Sequence, residues 1–102
     1  MPPLKNAKSK GSRNERRSRD LLLAEGYTVT KAGGSLGMWD LIGIGRTDFV
    51  LVQVKSNRWP GRKEVEGLVR FQCPANCRKT LHRWDNGKRV PQVKQLARGH
   101  DD

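Results

Sequence analysis

The sequence predicts an α/β fold in which a mixed central β-sheet is flanked by helices, in the order α-β-β-β-α-β-β. Three observations carry this expectation. Residues 38–44 and 48–56 form two apolar arms rich in Val, Ile, Leu and Phe, joined at Gly45-Arg46-Thr47-Asp48 like a hairpin. The second arm is apolar on both parities, with Phe49 and Leu51 on one side and Val50, Val52 and Val54 on the other. That is the pattern of a central strand covered on both faces. Helical segments before and after the hairpin, over 12–25 and 62–72, are available to cover it.

With 102 residues the chain fits one small domain with a single modest core. Residues 1–11 (MPPLKNAKSKG) have a Pro pair, spaced lysines and no apolar residue beyond Leu4, so a flexible basic arm is expected there. Two roles are open to it: a solubilising tail, or an arm lying along phosphates. Residues 12–96 are expected to be the folded domain and 97–102 a frayed tail. In the first helix Ser12-Arg13-Asn14-Glu15 fits a capping box, Leu21, Leu22, Leu23 and Ala24 supply apolar surface, and Gly26 stops it. Glu15 also shares a helix face with Ser18, Arg19 and Leu22, so it is placed either to cap or to face the sheet.

Residues 27–32 (YTVTKA) alternate as a short strand and lead into Gly33-Gly34-Ser35-Leu36-Gly37. This loop lacks the GK[ST] ending of a nucleotide-binding P-loop. It is either a plain connection or a place where backbone and the Ser35 hydroxyl approach a phosphate. Beyond the hairpin, Arg58-Trp59-Pro60-Gly61-Arg62-Lys63 is a basic turn in which Trp59 either covers the core edge, the commoner role, or stacks on a base. The second helix carries Val65, Leu68, Val69 and Phe71, and Pro74 stops it. Residues 77–84 (CRKTLHRW) read as a strand, Asp85-Asn86-Gly87 as a turn and 89–96 as an edge strand. His82 has no visible partner and is expected on the strand surface, while Cys73 and Cys77, with no second pair, read as free thiols rather than a zinc site.

Twenty-one Lys and Arg against ten Asp and Glu leave a net charge of +11, spread along the chain, which points to a polyanionic partner. No run is apolar enough to span a bilayer and there is no signal-peptide core, so nucleic acid is the expected partner and no membrane is. With its thiols read as free, the protein is expected in the cytoplasm, with viral or prokaryotic origin both compatible. The basic residues best placed to touch phosphates are Lys10, Arg13, Arg16, Lys31, Arg58, Arg62 and Lys63, with Ser35 beside them.

Gln53 and Lys55 end the otherwise apolar Phe49/Leu51 side, where a lysine needs a reason to be. If Arg46-Thr47 is a two-residue loop, Asp40 pairs with Gln53, and paired residues project to one face about 5 Å apart. A carboxylate, an amide oxygen and a lysine on one rigid face suit a hard cation such as Mg²⁺, which prefers oxygen ligands and keeps several waters.

Asp40 followed by Gln53-Val54-Lys55 resembles the PD-(D/E)XK nucleases, in which an Asp on one strand and an acidic-x-Lys on the next hold the metal. The ordered set Glu15–Ser35–Asp40–Gln53–Lys55 is similar to the archaeal-type Holliday junction resolvases, and Lys10 to Arg16 looks like their first helix. The resemblance spans residues 10 to 96. It implies a restriction-endonuclease-like core and Mg²⁺, with Mn²⁺ substituting, held by Glu15, Asp40, Gln53 and the Val54 carbonyl. It further implies that Lys55 and Ser35 act at the phosphate, and that a homodimer cuts phosphodiester bonds of four-way or otherwise branched DNA. A nickase of the same fold and a non-catalytic nucleic-acid-binding module are the alternatives. Gln53 departs from the acidic residue, as in the Mrr-like relatives with Q-x-K. An amide ligates without adding charge, and Glu15 is the carboxylate placed to restore it. For subunit contact the candidates are 90–96, the apolar side of the second helix (Val65, Leu68, Val69) and Trp84.

Overall fold

The computed structural model describes residues 3–33 and 37–96, with side chains from residue 11 onward. Its elements follow the expected order: α1 (Pro3–Ala24), β1 (Thr28–Lys31), β2 (Leu41–Ile44), β3 (Phe49–Ser56), α2 (Arg62–Arg70), β4 (Cys77–Trp84) and β5 (Gln92–Gln95). The strands form one sheet in chain order, antiparallel except for the parallel pair β3/β4. Parallel neighbours need a crossover, and α2 supplies it.

The irregular arm expected at the N-terminus is corrected: residues 3–11 are the first turns of α1. Proline is at home in a first helical turn, where its missing N–H has no partner to lose. Nothing from Leu4 to Ala24 except Gly11 opposes a helix, and Gly26, at φ +97°, ends it in the left-handed region where glycine is unstrained. Ser12 therefore sits inside the helix and is not its N-cap.

β3 lies between β2 and β4 and is covered on both faces, as its two apolar parities predict. Leu22 of α1 packs with Leu41, Val50 and Val52 on one face. Trp39, Leu51, Leu68 of α2, Cys77 and Leu81 form the core on the other. Full burial of each such side chain is worth about 1.5–3 kcal/mol. Gly43 is needed where β2 crosses Tyr27, since a Cβ there would lie 2.7 Å from Val50 Cγ1.

Three further expectations change. His82 is buried, with its Nδ1 2.8 Å from the Ser18 hydroxyl. Trp84 is buried too and donates to the same hydroxyl at 2.8 Å. Leu68 is fully enclosed in the core, so neither Trp84 nor the Leu68 side of α2 is open for subunit contact. For His82 and Trp84 the physical reason is shared: the even residues of β4 face α1, whose Ser18 offers a hydroxyl to both polar groups. Trp59 covers the core edge as expected, with Arg83 and Lys94 over its ring.

Candidate active site

Asp40 stands just before β2, where the hairpin ladder slips. Leu41 is paired with Val52, yet the Asp40 amide donates to the same Val52 carbonyl at 2.9 Å. Two residues opposite one make a β-bulge, so the direct Asp40–Gln53 pairing does not form. The bulge turns the Asp40 carboxylate onto β3, where Oδ2 accepts the Val54 N–H at 2.7 Å. Val54 thus meets Asp40 through its amide. On the other side the Asp40 carbonyl accepts from Ala32 N–H at 3.0 Å, so the backbone around the carboxylate is tied to both neighbouring strands. Burial raises the Asp40 carboxyl above its ordinary pKa; the Val54 N–H, Lys55 and Lys31 pull it down, while the charge of Glu64 adds to the rise.

Gln53 and Lys55 project from the α2 face of β3. Gln53 is 4% exposed, its Nε2 donates to the Met38 carbonyl (3.1 Å) and to Glu64 Oε2 (2.8 Å), and its Oε1 is buried without a partner. Lys55 Nζ lies 3.4 Å from the same Glu64 oxygen. Glu15 approaches from α1 and pairs with Lys31 at 3.8 Å. Burial and the Asp40 charge raise its pKa, against the lowering effect of Lys31. With Ser12 inside the helix, capping is removed from the two roles open to Glu15, and the side facing the sheet remains.

The helix that carries Glu15 is clamped on either side of it. Asn14 Nδ2 donates to Ser56 Oγ at 2.7 Å, and Ser18 holds His82 and Trp84. A cleft of about 250 Å³ beside Glu15 is lined by Ser12, Arg16, Arg19, Lys31 and Leu41. Arg13, Arg58, Arg62 and Lys63 are exposed. Ser35 and the side chain of Lys10 lie outside the described residues.

Sequence reasoning missed Glu64, Asn14 and the buried Lys79, whose ammonium donates to the Val69 carbonyl at 2.6 Å near the end of α2. Only Asn14 left a signal, because Asn14, Ser18 and Leu22 recur every fourth residue along one stripe. Among the described residues, no three Asp, Glu, His or Cys side chains converge on one metal position. Any cation here would rest on mixed oxygen donors. The donor set fits that demand: Asp40 is a carboxylate, and Gln53 Oε1 is an orphaned buried acceptor of the kind a hard cation satisfies.

The chain is similar in structure to a solved protein, Archaeoglobus fulgidus Hjc, a Holliday junction resolvase from an archaeal hyperthermophile. The chain shares the fold of Hjc. The two superpose with a TM-score of 0.64 at 18% identity, over 86% of this chain and 72% of that one. No protein-family model matches the sequence, and comparison with curated proteins gives no match. The α/β core expected from the motif order, a mixed sheet flanked by helices, is the architecture observed.

Proposed function

We propose that this protein is a divalent-metal-dependent endonuclease that cuts branched DNA, four-way junctions above all, as a homodimer. The observation that carries the proposal is that the Asp40 carboxylate accepts from the amide of Val54, between Gln53 and Lys55 on β3, and that its charge reaches Glu15 of α1, which lines a basic cleft. Hjc, a Holliday junction resolvase, has the same fold, which supports the substrate class.

Asp40, Gln53 Oε1 and Glu15 would hold Mg²⁺, or Mn²⁺ in its place. What the bound cation supplies is polarisation of the scissile phosphate and activation of a water for in-line attack. Lys55 lends its ammonium to the charge that grows on the phosphate oxygens. Arg16, Arg19 and Lys31 line the cleft and bind the backbone without reading sequence. Ser35 adds a hydroxyl donor to the phosphate. A junction carries two strands to be cut and each chain has one such site, hence the dimer.

The test is cleavage of a four-way junction against linear duplex, in Mg²⁺ or Mn²⁺. Wild type should cut the junction in preference. Asp40→Asn should lose about a hundred- to a thousandfold in rate, the loss of a main charge-stabilising group. It should keep or tighten binding, because it removes a negative charge facing phosphates. Normal cleavage by Asp40→Asn would remove Asp40 from the site. One observation favours a binding module instead: among the described residues no three Asp, Glu, His or Cys side chains converge. Tight junction binding with no cleavage in either metal would decide for it.

A further inference from the structure

Gln53 is buried to 96%, leaving 4% exposed, and both protons of its amide nitrogen are committed, one to the Met38 carbonyl and one to Glu64 Oε2. Because both acceptors are oxygens, the amide has one orientation: reversed, Oε1 would face two oxygens with no proton between them. Oε1 is thereby held as a buried acceptor with nothing to accept. Glu64 sets this orientation from the first turn of α2, and its side chain is 40% exposed. It has water within reach, yet its carboxylate turns in to Gln53 and sits 3.4 Å from Lys55.

We propose, resting on the nuclease reading above, that Glu64 is the positioning residue of this site. It carries on α2 the negative charge that position 53 lacks, locks the Gln53 amide with Oε1 free for a divalent cation, and holds the Lys55 ammonium beside it. Gln53 and Glu64 are then one device split between a strand and a helix. The amide ligates and the carboxylate behind it supplies the charge, as partners behind metal ligands do elsewhere.

Calorimetry of Mn²⁺ alone binding to the full chain tests this, with melting temperature measured alongside. Glu64→Ala frees the Gln53 amide and removes the charge, so Mn²⁺ affinity should fall about 10–100-fold. Glu64→Gln removes only the charge and should fall between Glu64→Ala and wild type. Glu64→Ala leaves one proton of the buried Gln53 amide unpaired and should lower the melting temperature, whereas Glu64→Gln keeps an acceptor oxygen there and should melt close to wild type. The double variant Gln53→Glu/Glu64→Gln returns a carboxylate to position 53 opposite a donor amide, and should recover part of the affinity that Glu64→Gln loses. A purely structural Glu64 would lower the melting temperature without that recovery. Wild type and Glu64→Ala binding Mn²⁺ equally would overturn the assignment and leave the nuclease reading standing. Wild type that binds no Mn²⁺ and cuts no junction would overturn both.

Discussion

His82 shows what burial does to one titratable side chain. Its Nδ1 meets the Ser18 hydroxyl, whose oxygen already accepts from Trp84 Nε1, so the single Ser18 proton is free to go to the imidazole. The ring is held neutral, and burial pushes its pKa down from 6.5 to about 4. A folded pKa below the unfolded one gives stability that is whole above the unfolded value and is lost as pH falls through the folded one. The window is therefore from 6.5 down to about 4. Glu15 and Asp40, whose folded pKa values are raised, act in the opposite sense at its acidic end. Urea midpoints should thus fall between pH 7 and the middle of that window. His82→Gln, which keeps a polar group against Ser18, should flatten the fall. An unchanged slope in that variant would mean that another group titrates.

At the scale of elements, β2, β3 and the turn residue Tyr27 meet with no room to spare at Gly43. The absent Cβ lets β2 pass between Val50 and Tyr27, and an added methyl would lie 2.7 Å from Val50 and 3.3 Å from Tyr27. Gly43→Ala should therefore destabilise by about 1–3 kcal/mol through overpacking, measured by chemical denaturation. Because β2 also carries the bulge that aims Asp40, cleavage should fall in the same variant. Conversely α1 is docked by its second half, through Asn14, Ser18 and Leu22, which is why that half sets the place of Glu15.

For the whole molecule, charge and apolar surface oppose one another. Val90 and Val93, 70% and 56% exposed near the last strand, remain as apolar candidates for subunit contact now that Trp84 and Leu68 are accounted for. A net charge of +11 makes two copies repel, and salt screens that repulsion within about 8 Å at physiological strength. Sedimentation near 0.15 M salt should give a mass of about 23 kDa, twice the 11.6 kDa chain, falling towards the monomer as salt is lowered. A monomer at every salt concentration would contradict the homodimer.

Local pattern was enough for the element order, for the double-faced β3 and for Gln53 and Lys55 sharing one side, because strand periodicity is set by adjacent residues. It was enough, too, for Asp40 to be placed near them, since a two-residue loop leaves few registers. Its limits show where partners come from far along the chain. The capping box at Ser12 was locally sound, but a helix beginning at Pro3 overrode it. The bulge at Asp40 depends on backbone bonds to two strands at once. Lys79 and His82 look like surface residues until the Val69 carbonyl and the Ser18 hydroxyl arrive to satisfy them. Glu64 reaches Gln53 only because the crossover returns α2 over that face of the sheet. Spacing along the chain therefore determined which side chains could act. Only the tertiary structure decided which of them are desolvated together, because burial of a polar group is tolerable only where the fold delivers its partner.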